Sequence, residues 1–495
     1  MTRAVVKPSL LDALIPVVLL ISMLAGTVYV FGLDSFGPNL VALILAAAVA
    51  ALIGIKNGLS WKVIEAGMID TITMSLHAIL ILLMVGALIG SWILAGTVPS
   101  MIYYGVELIS PNYFYATSCL VCALVGFSIG SSWTVAGTLG IGFMGIAAAL
   151  DLSLPISAGA IISGAYFGDK LSPLSDTTNL AAAVSNSDLF AHIEHMLWTT
   201  APSFIIALAV FFILGFGSGS SVQVEDIELL QTAMQDAFVI NPLMLVPLVL
   251  LLVMAVKKQP ALSTLIVGAL VGCVFAVAFQ STAVIELAAD SSLNGIAASF
   301  KGLLSAMFLG YSSDSGNQSL DALLSKGGMS SMLTTVGLII NAMAFGGAMA
   351  RTGLLERLVE AALSKVKSAG GLITTTVASC IGTNILAADQ YLSVVIPGQM
   401  FANAYRKRNL KLINLSRTLE DSGTLTSALI PWNTCGAYMS ATLGVSTFLY
   451  APYAVFNICC PIIAIIYGFY QIKLPLEKDK EKDKETDTQT AVANS

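Results

Sequence analysis

The chain has 495 residues, of which 56% are hydrophobic and 11% charged, with a formal net charge of −6 and a mean hydropathy of +0.86. A soluble domain carries about 25% charged residues, so water is not this chain's main solvent. No basic patch points to nucleic acid. The seven cysteines fall mostly in apolar stretches, where an unpaired thiol behaves as a small hydrophobe. Cys119 and Cys122 have zinc-like spacing but no second ligand pair nearby.

Apolar runs from Ala13 to Phe31, Leu40 to Ile55, Ala78 to Ala95 and Ala261 to Phe279 approach the ~20 residues that cross a bilayer as helix. The first is too long for a signal-peptide core and is followed by more spans, so it reads as span one. Basic residues then orient the chain. Arg3, Lys7, Lys56, Lys62, Lys257, Lys258, Arg351, Arg357, Lys365, Lys367, Arg406, Lys407, Arg408, Lys411 and the Lys-rich tail are expected on the cytoplasmic side. The segments 34–39, 97–111, 218–237 (with Glu225, Asp226, Glu228 and Asp236) and 282–325 are expected outside.

Threading the chain between these assignments predicts an all-α polytopic membrane protein with about 14 crossings, including broken ones. They fall near 10–33, 38–55, 74–97, 112–131, 133–151, 156–185, 198–217, 241–256, 261–281, 331–350, 370–387, 389–405, 413–446 and 449–472, with both termini cytoplasmic. The 298–311 segment reads as a further partial or re-entrant helix. The tail from Leu476, with KDKEKDKETD, has no core-forming content and is expected to be disordered.

Two halves resemble each other. Ser128-Ile129-Gly130-Ser131-Ser132 matches Cys380-Ile381-Gly382-Thr383-Asn384 at an offset of 252, the separation that also relates Asp169 to Asp421. The loop at Asp151 lacks basic residues whereas its counterpart carries Arg406-Lys407-Arg408, so equivalent loops face opposite sides. That is the mark of inverted-topology repeats, whose interrupted helices meet near mid-membrane and build the substrate site. The divisions expected are 1–70 (N-terminal spans), 71–217 (first repeat), 218–297 (acidic loop and connecting spans), 298–475 (second repeat) and 476–495 (tail).

The segment Gly164 to Ala181 carries the chemistry. Asp169, Lys170, Ser172, Ser175, Asp176, Thr177, Thr178 and Asn179 follow an apolar stretch, and Pro173 removes a backbone donor and breaks the helix. A broken helix at membrane depth survives only inside protein or beside a water-filled cavity, and ionisable groups there read as functional. Sodium prefers hard oxygen ligands, and a proton competes with it for a carboxylate. The second half repeats the recipe with Glu420, Asp421, Thr424 and the run Pro431-Trp432-Asn433-Thr434. The preceding hairpins add Ser131, Ser132, Thr383, Asn384 and Asp389. Sodium is expected at Asp169, Asp176 and Asp421, with the hydroxyls and amides of Ser131, Ser132, Ser172, Thr177, Thr178, Asn179, Thr383, Asn384 and Thr424 as candidate ligands beside Asp389. Any single Ser or Thr also has the plainer reading of helix packing.

Lys170 reads either as a counter-charge to Asp169 or as a snorkelling side chain, and Glu420, one turn after Arg417, has the same ambiguity. His192, Glu194 and His195 read as a water-facing helix start or as a pH sensor. His77 reads as a satisfied bundle histidine. Gly126-Phe-Ser128-Ile-Gly130 fits a nucleophile elbow but lies in a span, without strand or triad. Neither this nor any H-E-x-x-H motif makes the chain an enzyme. The pairs Gly86/Gly90 and Gly164/Gly168 allow close helix packing.

The string GAYFGDKLSPLSDTTNLA at 164–181, with GSSWTVAGTLG at 130–140 and FGGAMARTG at 345–353, resembles the NhaC-type sodium/proton antiporters of the ion transporter superfamily. The likeness covers all but the termini. It implies a secondary active transporter of a bacterial inner (cytoplasmic) membrane, exchanging Na+ for H+ by alternating access without ATP. The alternative is a sodium- or proton-coupled exchanger of small carboxylates, of the malate/lactate type, but an anion needs a positive partner, and only Arg351 and Lys170 offer one. No cofactor is expected beyond the transported Na+ and H+. The bilayer is the other partner, and a homo-oligomer stays open.

Overall fold

A computed structural model describes residues 5–32, 36–216, 224–290, 292–314, 318–364 and 366–477. Of the tail expected from Leu476, residues 478–495 lie outside the described residues, as does the part of the acidic loop at 217–223, whereas Leu476 and Glu477 are held against 409–410. The described residues are helices joined by turns, with one isolated β-bridge between Leu410 and Leu476. Nine helices among them are long and apolar enough to cross a membrane, or up to eleven if each of two bent pairs is one span. Large apolar side chains such as Leu124, Ile205 and Val274 stand more than half exposed on their outer faces, as expected where the neighbour is lipid.

Several spans differ in extent from the apolar runs. The helix expected near 74–97 starts at Trp61 and runs to Leu94, 34 residues without interruption. At 1.5 Å per residue it is about 51 Å long, well over the ~30 Å of hydrocarbon, and the boundary at 70/71 falls inside it. The expected span 156–185 is two helices, Leu154–Leu171 and Asp176–Val184. The expected span 413–446 is also divided: Ile413–Leu419 continues through a π-helical turn, Glu420–Thr424, into Leu425–Ser427, and a separate helix covers Thr434–Leu443.

One order of elements occurs twice. The first run is Trp61–Leu94, Thr97–Leu108, Phe114–Ile129, Ser132–Ala149, Leu154–Leu171, Asp176–Val184 and Leu189–Gly215. The second is Met329–Arg351, Leu354–Leu363, Ala369–Leu386, Gln390–Arg406, the 413–427 run, Thr434–Leu443 and Val455–Tyr470, with a short Thr447–Tyr450 turn before the last. In each run a glycine in the left-handed region starts the second helix, Gly96 at φ 77° and Gly353 at φ 72°. The helix breaks recur at a different offset from the sequence match: 389 lies 258 positions beyond 131, and 433 lies 258 beyond 175, and each of these four residues caps a helix. Asp169 and Asp421 are therefore not at equivalent places, because one stands three residues before its break and the other lies within the π-turn.

The tightest packing positions the site. A Cβ on Gly164 would lie 2.0 Å from the Cys119 carbonyl oxygen, and one on Gly168 would lie 2.3 Å from that of Ala123. Bare glycines thus let the helices 114–129 and 154–171 touch backbone to backbone. That approach brings the end of one helix, at Asp169, against the break that follows the other.

Candidate functional site

Each break has a local cause. Gly130 adopts φ 74°, which favours glycine, and the Ser131 hydroxyl accepts from the Thr134 amide to start the next helix. Ser172 precedes Pro173, which disfavours helical geometry, and it is extended at ψ 129°. Ser175 then caps the helix that begins at Asp176. In the second run Asp389 accepts the Leu392 amide at 2.9 Å and Asn433 accepts the Cys435 amide at 3.1 Å.

The four breaks meet. A Cβ on Gly130 would lie 2.8 Å from Leu174 and 2.9 Å from the Ser172 hydroxyl. The Thr434 amide donates to the Ala388 carbonyl at 2.9 Å. Across the halves, Trp133 stacks on Tyr438 with ring centroids 4.0 Å apart, and the Tyr438 hydroxyl donates to the Trp133 carbonyl at 2.9 Å. The Tyr391 hydroxyl donates to Asp176.

Between them lies a cavity of about 610 Å³, lined by the starts of all four helices together with Met74 to Ile81 of the long first-run helix and Pro260-Ala261. Three carboxylates line it: Asp169, Asp176 and Asp389. Ser131, Ser132, Thr177, Thr434, Gln390 and Tyr391 add neutral oxygens, and no Lys or Arg is among the lining residues. Helix N-termini present amides and partial positive charge, and each acid takes one of those amides. Asp169 Oδ2 accepts the Ser132 amide at 3.0 Å and the Ser132 hydroxyl at 2.7 Å, while its buried Oδ1 has no partner. Asp176 Oδ1 accepts the Thr177 amide at 2.9 Å. The acids are thereby oriented, with acceptor capacity left over for a cation.

Of the residues expected to bind ions, Asp169, Asp176, Asp389, Ser131, Ser132 and Thr177 line this cavity, and the others do not. The Thr178 hydroxyl donates to the Lys170 carbonyl, that of Thr383 to the Ser379 carbonyl, and the Asn179 amide to the carbonyls of Pro173 and Ser175. Ser172 accepts the Leu174 amide, and Asn384 ties the Gly423 carbonyl and Thr426 to Asn433. These side chains hold the breaks in shape. Thr424 is buried without a hydrogen-bond partner.

Asp421 does not join Asp169 and Asp176. It is fully buried in an ion pair with Lys170 and accepts the Thr199 hydroxyl at 2.9 Å. Lys170 thus neither snorkels nor answers Asp169. Among the described residues no three His, Cys, Asp or Glu side chains stand close enough to share one metal ion. His192 and His195 are buried rather than turned to water, and the imidazole of His192 has no partner. His77 is exposed toward the cavity instead of satisfied in the bundle. Sequence reasoning passed over Tyr391, Gln390 and Trp133. Tyr391 and Gln390 directly follow Asp389 at a hairpin tip, which was the available signal.

Apolar helices of membrane-spanning length around interrupted helices, with acids at one shared cavity, define a multi-span membrane protein. The description of the Na+/H+ antiporter family matches residues 164–472, and the chain belongs to that family. It is 37% identical over 438 residues to the Na(+)/H(+) antiporter NhaC of Alkalihalophilus pseudofirmus, covering 88% of this chain and 91% of that protein. It is 35% identical over 460 residues to the Malate-2H(+)/Na(+)-lactate antiporter of Bacillus subtilis, covering 93% and 95%. It is 34% identical over 471 residues to the Arginine/ornithine antiporter ArcD of Halobacterium salinarum, covering 94% and 93%.

Proposed function

We propose that this protein is a secondary active transporter that exchanges Na+ for H+ by alternating access, with the cation held in the acid-lined cavity. The carrying observation is that three carboxylates line one cavity at the meeting of four helix breaks, with no Lys or Arg among the lining residues and His77 as the one imidazole. Unbalanced charge in the bilayer is costly, so the cavity crosses only when a cation or protons compensate its acids. That requirement couples the two ions. The NhaC relative, a Na(+)/H(+) antiporter, agrees with this reading.

The two runs of helices act as inverted-topology repeats of a bacterial inner-membrane protein with cytoplasmic termini. The basic loop Arg406-Lys407-Arg408 and the uncharged-to-acidic loop at Asp151 support that orientation. A second reading, exchange of a small carboxylate with sodium and protons, has one observation in its favour: about 610 Å³ exceeds what a bare ion needs and falls within the ~300–1,000 Å³ of small-molecule sites. Purified protein in sealed vesicles with a trapped pH dye distinguishes them. A proton signal on adding sodium alone supports Na+/H+ exchange; a signal that requires malate or lactate replaces it with the second reading.

A further inference from the structure

A carboxyl group lies behind the cavity wall, out of reach of a metal ion. Glu420 opens the π-helical turn 420–424 and is completely buried. Its Oε1 accepts the hydroxyl of Thr177 at 3.1 Å, and Thr177 is part of the cavity lining. Its Oε2 has no partner, and neither has the Thr424 hydroxyl one turn on. Single π-turns inside α-helices are drawn to functional sites.

The nearby cations make their hydrogen bonds to other groups, although Nε and Nη2 of Arg417 are left without a partner. Lys170 pairs with Asp421, and Arg417 donates to the Lys473 carbonyl at 3.2 Å. His192 and His195 lie on the neighbouring helix 189–215, close to Lys170 and Arg417 respectively. Among the described residues no ion pair includes Glu420. Asp169, on the cavity side, is close enough to act on Glu420 electrostatically. The thiols of Cys380 and Cys460 belong to the two helices packed behind the turn.

Only one transported ion can use such a place. A sodium ion needs an open path lined by oxygens, and Thr177 closes the path to Glu420. A proton needs only a hydroxyl to hop through. We propose that Glu420 is the proton-carrying carboxyl of the exchange and that Thr177 is the hydroxyl linking it to the cavity, an assignment that rests on the Na+/H+ reading. On release, the Thr177 hydroxyl turns its proton from Glu420 toward a water in the cavity, the O–H bond of the Glu420 carboxyl breaks, and its proton passes to Thr177 Oγ1. The hydroxyl proton that Thr177 held moves to a water in the cavity. Glu420 is left a carboxylate and the water a hydronium ion; two O–H bonds break, two form, and no electrons change owner. Sodium and proton then occupy separate positions one hydroxyl apart.

Glu420→Gln tests this, because the amide oxygen still accepts from Thr177 while the group can no longer carry a proton. In vesicles, isotopic sodium-for-sodium counterflow at equal pH is expected to stay within about twofold of the unaltered protein, and sodium-driven proton movement to fall more than tenfold. Full proton movement in Glu420→Gln, with an unshifted pH profile, overturns the assignment. Loss of counterflow in both Glu420→Gln and Glu420→Asp overturns it as well, since Glu420 then serves sodium or the fold. If Glu420→Gln alone loses counterflow, proton-coupled exchange by Glu420→Asp with a displaced pH profile supports the assignment, and an undisplaced profile overturns it. If the unaltered protein moves no protons on sodium addition, the antiport reading itself fails and the assignment falls with it.

Discussion

Ser132 holds Asp169 twice through one oxygen, by its amide at 3.0 Å and its hydroxyl at 2.7 Å. The other carboxylate oxygen is left without a partner. Asp169→Asn keeps the volume and removes the charge, so sodium-driven proton movement is expected to fall at least tenfold. Ser132→Ala loses only the hydroxyl. A hydrogen bond to a charged group contributes roughly 1.5–3 kcal/mol, so the half-saturating sodium concentration is expected to change by about tenfold or more. Initial rates in dye-loaded vesicles over a sodium series measure both.

Tyr391 reaches from the second run of helices to Asp176 in the first. Asp176→Asn is expected to abolish sodium-dependent proton movement; retained flux removes Asp176 from the mechanism. Tyr391→Phe leaves the acid but frees its oxygen, and is expected to change the half-saturating sodium concentration by about three- to tenfold with less effect on the maximal rate.

The Lys170–Asp421 pair makes a prediction about stability. Removing one partner of a buried pair costs ~3–5 kcal/mol, because the other charge is stranded. Lys170→Met is therefore expected to lower the thermal midpoint of the detergent-solubilised protein sharply. Lys170→Met combined with Asp421→Leu is expected to recover most of that loss. A double variant no more stable than the single one contradicts this account.

Gly168 lies 2.3 Å, by its would-be Cβ, from the Ala123 carbonyl and 2.4 Å from the Phe127 nitrogen, both backbone atoms with no rotamer to turn away. Gly168→Ala is expected to cost at least the ~1–3 kcal/mol typical of overpacking, and to move Asp169 off Ser132. Thermal melting and sodium-driven flux are both expected to fall. An unchanged melting midpoint counts against the close helix contact.

Orientation is testable by labelling. A cysteine placed at Asp151 is expected to react with an impermeant maleimide added outside intact cells, and one at Lys407 only after permeabilisation. Labelling of both from the same side contradicts inverted repeats.

The sequence by itself determined the solvent, the existence of the spans and the breaks at Gly130 and at Ser172-Pro173. Each of those depends on local properties: hydropathy summed over a span, a positive φ, a missing amide. It also pointed to the acids near the breaks, because few charges occur inside apolar runs. It did not reveal which acids share a cavity. The 252-residue match paired Asp169 with Asp421 by residue type, whereas the caps at Ser131, Asp389, Ser175 and Asn433 recur at 258, a register set by helix ends.

Direction was decided by tertiary structure alone. Neighbours on a helix point about 100° apart, so Asp169 turns to Ser132 and the cavity while Lys170 turns to Asp421 on the other face. Tyr391 and Glu420 acquire their partners, Asp176 and Thr177, from more than 200 positions away. Contacts of that separation depend on how helices pack and at what phase, and no local pattern of residues encodes either.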